Sequence, residues 1–184
     1  DGRADVFETV AKLPISGSYH EYAFGPVLAP NGNVRITLNV AFGGATQAPA
    51  PWRGWMIEVT PDGQIIPIAA GLRSPSGFMV TSHGDWFSAE NQGEWVGSGR
   101  VTHLEIGDFA GHPASLAWSR LPGSTVSLRP EDIVDFEEPF PDVAKRMPGL
   151  KAPAVWLPHA ILGISSSGLV EDRTSGRFGP YAGQ

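Results

Sequence analysis

Residues 54–68 read Gly54-Trp55-Met56-Ile57-Glu58-Val59-Thr60-Pro61-Asp62-Gly63-Gln64-Ile65-Ile66-Pro67-Ile68. Two apolar runs, rich in β-branched and aromatic residues, flank the polar segment Thr60-Pro61-Asp62-Gly63. Proline presets φ for the first central turn position, aspartate tolerates the second, and glycine supplies the positive φ at the exit. The pattern predicts a β-hairpin.

The same pattern recurs on both sides of this hairpin. Ala29-Pro30-Asn31-Gly32 precedes the run Asn33-Val34-Arg35-Ile36-Thr37-Leu38, and Ser82-His83-Gly84-Asp85 precedes Trp86-Phe87-Ser88. Hairpins repeated every ~20–30 residues, with no helical periodicity between them, are typical of sandwiches, barrels and propellers. We therefore expect an all-β fold.

Composition limits the class of protein. The chain has 184 residues, of which 41% are hydrophobic and 17% charged, and this is enough for one domain with a sizeable core. Its 23 glycines and 17 prolines are scattered without a period, which favours short strands and tight turns over long helices. We interpret residues 1–184 as a single domain with an irregular insertion at residues 119–153.

Charge and residue usage argue against several kinds of partner and site. The formal net charge is -6 and there is no basic run, so we expect neither nucleic acid nor an anionic membrane surface as a partner. No segment reaches the ~18 apolar residues of a membrane span. The absence of cysteine excludes disulfides and thiolate metal sites. The sequence begins with Asp1, and we expect a mature or clipped chain.

Sequence motifs of common enzyme classes are missing. The five histidines show neither the i,i+4 spacing of a helical zinc site nor a His-x-His pair, and no Gly-x-Ser-x-Gly or P-loop is present. An acidic cluster is compatible with either a solvated face or a cation site. It comprises Glu131, Asp132, Asp135, Glu137, Glu138 and Asp142.

Three segments carry polar residues suited to a site. His20 precedes an apolar strand, and Arg73 lies between two strands in Gly71-Leu72-Arg73-Ser74-Pro75-Ser76-Gly77-Phe78. Taken singly, a histidine at such a position is more often structural than catalytic, and a lone loop arginine is by default a surface ion pair or a carbonyl clamp. Ser88-Ala89-Glu90-Asn91-Gln92-Gly93-Glu94-Trp95 ends a strand in oxygen-bearing groups around a glycine, which suits calcium but also a simple turn.

The order of these segments carries a family resemblance. His20 is followed by the Pro30-Asn31-Gly32 turn, and then come residues 71–78 and Glu90-Asn91-Gln92-Gly93. Further along are Gly107-Asp108-Phe109-Ala110-Gly111-His112-Pro113, Trp156-Leu157-Pro158 and Ser166-Ser167-Gly168-Leu169. This order resembles the glucose and sorbosone dehydrogenases that depend on pyrroloquinoline quinone (PQQ). The similarity runs from about Tyr19 to Gln184, and Phe178-Gly179-Pro180-Tyr181-Ala182-Gly183-Gln184 recurs in the sorbosone-dehydrogenase type.

The resemblance implies a six-bladed β-propeller, of which this chain supplies about four blades because each needs roughly 40–50 residues. It implies a periplasmic or extracellular enzyme that uses PQQ and calcium and passes hydride from a sugar or aldehyde to the quinone. By position it implies His20 as general base, Arg73, Asn91, Gln92 and Trp156 as cofactor contacts, and the carbonyls of Gly93 and Glu94 as calcium ligands.

The resemblance also has departures and alternatives. Ser74 stands where the family has asparagine, and Glu94 stands where it has proline. The family's basic residues that grip the cofactor carboxylates fall beyond Gln184, and we expect a partner subunit or further residues to cover the open propeller edge. A degenerate propeller that serves as a non-catalytic binding or structural subunit is the main alternative. A calcium-dependent lactonase is another.

Overall fold

The computed structural model describes residues 2–42, 47–133 and 137–180. These residues form two four-stranded antiparallel sheets, each with its strands in sequence order. The first sheet contains β1 (Ala23–Leu28), β2 (Val34–Leu38), β3 (Trp55–Val59) and β4 (Ile65–Ala70). The second contains β5 (Gly77–Val80), β6 (Trp86–Glu90), β7 (Gly99–Leu104) and β8 (Val155–Leu157). The expectation of an all-β fold is confirmed, but a propeller is not shown, because the described residues form two sheets instead of the expected four blades or so and neither sheet closes.

Among the described residues, helices occur in the long connection between β7 and β8 and nowhere else. Two 3-10 helices span Pro113–Trp118 and Pro130–Asp132, and one short α-helix, α1, spans Phe140–Arg146. Proline at an early position of each helix suits the start of a helix, where the first amides have no intrahelical acceptor. Within the described ranges, no helix has the length and apolar character needed to cross a membrane.

The three predicted hairpin turns share one geometry. In each, the glycine amide donates to the carbonyl three residues earlier, at 3.0 Å for Gly32, 2.9 Å for Gly63 and 3.0 Å for Gly84. All three glycines have φ between +85° and +93°, a region that other residues rarely adopt. The predicted hairpins are therefore confirmed, since these turns join β1 to β2, β3 to β4 and β5 to β6.

The apolar run that opens residues 54–68 becomes the most buried strand. All five residues of β3 are buried, because the strand lies between β2 and β4 and is covered on both faces. Trp55 and Ile57 belong to a core that β3 forms with the connection after β7, which contributes Phe109, Leu116 and Leu150. Part of the segment 119–153 therefore serves the core of the first sheet.

A second apolar cluster lies between the two sheets. Met56, Ile68 and Ala69 of the first sheet join Trp86 and Leu104 of the second. The two first strands, β1 and β5, also lie next to each other. Burial of this shared apolar surface holds the sheets side by side.

The connection from β4 to β5 ties the sheets together and carries Arg73. Gly71 has φ of +90°, and a Cβ atom there would lie 2.4 Å from the amide nitrogen of Ala110. Only glycine permits so close an approach. The amide of Leu72 donates to the Gly54 carbonyl at 3.0 Å, and the amide of Val40 donates to the Arg73 carbonyl at 3.1 Å. The backbone around Arg73 is therefore fixed by residues that follow β2 and precede β3 of the first sheet.

Candidate functional site

Arg73 is held in place by a buried carboxylate. Glu90, the last residue of β6, is 1% exposed and accepts hydrogen bonds from the backbone amides of Arg73 (2.7 Å) and Ser74. Its second oxygen lies 3.4 Å from Nη2 of Arg100, which is also 1% exposed and donates to the Ala110 carbonyl at 3.1 Å. A buried ion pair with these hydrogen bonds fixes the geometry of the Arg73 backbone.

The Arg73 side chain lies between an aromatic ring and an acidic residue. Its Cζ atom is 4.5 Å from the centroid of the Phe42 ring, within the range of a cation–π interaction. Its Nε atom lies 3.4 Å from Oε2 of Glu94 but makes no hydrogen bond within the described residues. The Arg73 side chain is one-fifth exposed, so it combines a positive charge with partial access to solvent.

His112 forms the floor of this site. The residue is 4% exposed, and its Nδ1 lies 3.6 Å from the same Glu94 oxygen. Burial, together with the positive charges of Arg73 and Arg100, lowers the pKa of His112 to about 4 despite the opposing influence of Glu94. The imidazole is therefore neutral at neutral pH, and its Nε2 is a buried polar atom without a hydrogen-bond partner in the described part of the chain.

The turn after β6 completes this side of the site. The Gly93 amide donates to the Val96 carbonyl at 2.7 Å, and the Asn91 side-chain oxygen accepts from the Gln92 amide at 2.9 Å. A Cβ atom on Gly93 would lie 3.1 Å from Cδ of Arg73 and 3.3 Å from Nδ1 of His112. The absence of a side chain at Gly93 therefore allows these two residues to approach the turn closely.

His20 contacts the same aromatic ring. Its imidazole centroid is 5.2 Å from that of Phe42, in an edge-on arrangement, and the residue is half-buried. Its carbonyl accepts hydrogen bonds from the Tyr22 amide (3.1 Å) and from the side chain of Asn39, which is fully buried. Phe42 is thus the shared contact of His20 and Arg73.

Trp156 lies on the far side of Glu94. It lines a cleft of about 270 Å³ together with Glu94, Trp95 and Phe140. The ring centroids of Trp156 and Phe140 are 5.2 Å apart in an edge-on arrangement. The structure therefore brings Arg73, Gly93 and Glu94 into contact, joins His20 to them through Phe42, and places Trp156 across a cleft that Glu94 borders.

The residues at Arg73 fit a planar anionic ligand. Three buried polar atoms around the Gly93 turn lack hydrogen bonds within the described residues, namely Arg73 Nε, Gln92 Oε1 and His112 Nε2. Buried polar atoms usually have partners, so such a group of atoms indicates a position for water or a ligand. The ring of Phe42 beside the guanidinium suits a flat molecule.

The described residues could supply only part of a calcium coordination shell. The described residues include no group of three or more His, Cys, Asp or Glu side chains that could hold a metal. A calcium ion takes about six to eight oxygen ligands. The backbone carbonyls of Gly93 and Glu94 could supply two, so the remaining ligands would have to come from a bound cofactor and water.

The acidic cluster carries ordinary surface ion pairs. Glu131 pairs with Arg120, Asp142 pairs with Lys145, and Glu138 pairs with Arg146. All its described members are exposed, as a solvated face requires, and Asp135 lies outside the described residues.

Three contributors to the site had no predicted role. Phe42 lies in a segment that reads as a loop, and only the folded chain brings it beside Arg73. Arg100 is a charged residue within β7, where a charge in an apolar strand needs a buried partner. His112 stands between glycine and proline in Gly111-His112-Pro113, and this motif was the available signal.

Comparison of the chain with protein-family models, with curated proteins and with solved structures finds no match.

Proposed function

We propose that the two sheets are neighbouring blades of a β-propeller. Each is a four-stranded antiparallel meander in sequence order, and their first strands lie side by side, as first strands do around a propeller axis. The apolar cluster between the sheets corresponds to the packing of adjacent blades. Further blades would continue the ring.

We further propose that the site at Arg73 binds PQQ and calcium and that the protein is a periplasmic or extracellular sugar or aldehyde dehydrogenase. One observation carries this proposal. His20 and Arg73, 53 residues apart in sequence, both contact the Phe42 ring, and Gly93 lies against the Arg73 side chain. Two of the residues that the family resemblance selects thus share one aromatic neighbour, which supports the proposal.

Each residue has a role that follows from its chemistry. A bound quinone supplies the acceptor for hydride, which no protein side chain can provide. Arg73 would contact the quinone oxygens, with Asn91 and Gln92 as hydrogen-bonding neighbours and Trp156 as an aromatic wall. The Gly93 and Glu94 carbonyls would hold calcium. His20 would accept the proton of the substrate hydroxyl as a general base, an effect typically of 10²–10⁴-fold.

Calorimetric titration of the chain with PQQ tests this proposal. We expect saturable binding that requires calcium and that weakens at least tenfold in Arg73→Ala. Arg120→Ala, which removes an exposed cation elsewhere, is the matched control and should bind as the unaltered chain does. Absence of binding with calcium present, or equal binding by Arg73→Ala, would reject the cofactor assignment.

A non-catalytic subunit is the second candidate, and a specific contact favours it. Glu94, where the resembling family has proline, places its own carboxylate 3.4 Å from the Arg73 guanidinium. The Glu94 carboxylate neutralises the Arg73 charge and would compete with an anionic cofactor. A protein that no longer binds the cofactor would tolerate such a residue. Several apolar side chains of the C-terminal segment are also exposed, including Ile161, Val170 and Phe178, and a partner subunit could cover them.

A further inference from the structure

A second polar cleft lies at the other end of the second sheet. It has a volume of about 390 Å³ and is lined by Arg35, Asp85, Trp86, His103, Glu105 and Ile106. Trp86 begins β6 and Glu90 ends it, so about 13 Å of strand separates this cleft from the Arg73 site. The cleft is therefore independent of the proposed dehydrogenase site.

The floor of the cleft is a buried cation that is only partly satisfied. Arg35 is 6% exposed, its Nε donates to Oε1 of Glu58 at 2.8 Å, and its Cζ lies 3.4 Å over the Trp86 ring. Its Nη1 has no hydrogen-bond acceptor within the described residues. A buried guanidinium N–H without an acceptor is unfavourable, because arginine has no neutral form in proteins. An acceptor oxygen in the cleft could come close to this group.

The rim of the cleft presents hydrogen-bond acceptors, whereas the floor presents an Arg35 donor. Oδ1 of Asp85 lies 3.5 Å from Nε2 of His103, and the Asp85 side chain is half exposed. Glu105 pairs with Lys151 and is also exposed. The exposed Ile106 adds an apolar edge. Carboxylate oxygens accept hydrogen bonds only, so a ligand here must donate at the rim and accept at the floor.

The arrangement of charge selects the chemical class of ligand. Arg35 at the floor is paired with Glu58, and Glu105 at the rim is paired with Lys151, so neither residue gives the cleft an uncompensated charge that would favour an ionic ligand. A hydroxyl group both donates and accepts, so a molecule with several hydroxyls satisfies the floor and the rim together. We propose that this cleft binds a small neutral polyhydroxy compound, a monosaccharide or polyol. Its size is in the range of small-molecule sites, roughly 300–1,000 Å³.

Three sugars of equal size and different charge test the proposal by calorimetry. Glucose is neutral, glucuronate is an anion and glucosamine is a cation near neutral pH. We expect glucose to bind more tightly than either charged analogue. Tighter binding of glucuronate or glucosamine, or no heat from glucose at concentrations on the order of 50 mM, would overturn the proposal.

Variants locate the binding. Asp85 is at the surface, so Asp85→Ala should fold and should weaken glucose binding about tenfold, the effect of losing a hydrogen bond to a charged group. Asp62→Ala is the matched control, because Asp62 is an exposed aspartate in the hairpin turn of the other sheet. Unchanged binding by Asp85→Ala would place the sugar elsewhere and contradict the proposal.

Discussion

Nε of Arg73 lies 3.4 Å from Oε2 of Glu94, and the same carboxylate oxygen lies 3.6 Å from Nδ1 of His112. The Glu94 carboxylate therefore interacts with both the cationic Arg73 guanidinium and the neutral His112 imidazole. Its side chain is just over half exposed, so it can move away without disturbing the core. An anionic ligand of Arg73 must compete with it.

Removing the Glu94 charge should tighten the binding of an anionic quinone. In Glu94→Gln the competing ion pair is lost, and because exposed pairs contribute about 0.2–1 kcal/mol, we expect PQQ affinity to rise roughly 1.5–5-fold. The backbone carbonyls remain for calcium. Glu131→Gln, an exposed acid paired with Arg120 far from the site, is the control for the calorimetric titration. Weaker binding by Glu94→Gln would show that the carboxylate assists the ligand.

Glu90 should be among the residues most important for stability. Glu90→Gln leaves Arg100 buried without a counter-charge and weakens the hydrogen bonds to the Arg73 and Ser74 amides. Breaking a buried pair costs about 3–5 kcal/mol, which corresponds to a fall in Tm on the order of 10 °C. Glu105→Gln, which breaks an exposed pair with Lys151, should cost less than about 1 kcal/mol. Equal melting temperatures for the two variants in circular dichroism would refute the structural role of Glu90.

Substitutions at Gly32 and Gly71 distinguish the energetic cost of backbone strain from that of a steric clash. Both have positive φ, but a Cβ atom on Gly32 meets nothing within 4 Å, whereas on Gly71 it would lie 2.4 Å from Ala110 N and 2.5 Å from Gly111 N. Gly32→Ala should cost only the left-handed strain, about 1–2 kcal/mol. Gly71→Ala should lower the free energy of unfolding considerably more and should also weaken PQQ binding, because Arg73 is two residues away. Denaturant unfolding measures the free energy of unfolding of both variants. Similar losses in Gly32→Ala and Gly71→Ala would contradict the predicted clash at Gly71.

His112 should make stability depend on pH in acid. Burial lowers its folded pKa to about 4, whereas an unfolded histidine titrates near 6.5. Between these values the unfolded state binds more protons, so the free energy of unfolding falls as pH decreases from about 6.5 to 4. At about 1.4 kcal/mol for each pKa unit, the full effect is about 3 kcal/mol.

His112→Asn keeps a polar atom near the Nδ1 position and removes the titration. Its free energy of unfolding should vary less over pH 4–6.5 than that of the unaltered chain, measured by urea unfolding at each pH. His159→Asn, at an exposed position, is the control and should retain the full slope. An unchanged slope in His112→Asn would assign the acid sensitivity to other groups.

The hairpins were predictable from the sequence because the residues within each turn determine its dihedral angles. Pro-Asn-Gly and Pro-Asp-Gly fix the dihedral angles of the turns that end in Gly32 and Gly63, and the apolar runs beside them have the composition of strands. These signals act within a few residues, so a single sequence suffices. The pairing of β7 with β8 depends instead on a connection of about 50 residues with little regular structure, and no local pattern specifies it.

The site was predictable only in part, for the same reason. Arg73 and Gly93 stand in recognisable segments, but the contact of Arg73 with Phe42 depends on how two separate loops pack. The importance of Glu90 follows from its burial, which the polar Asn-Gln-Gly turn next to it does not indicate in the sequence. Arg100 and His112 act through contacts with these residues and have no spacing motif of their own.

A crystal structure of the chain soaked with PQQ and calcium shows whether a quinone binds between His20 and Arg73. We expect density for the cofactor beside the Phe42 ring, with a quinone oxygen within hydrogen-bonding distance of the Arg73 guanidinium and a cation on the carbonyls of Gly93 and Glu94. Density for the cofactor at another position, or a site in which Glu94 still pairs with Arg73 at saturating PQQ, would contradict it.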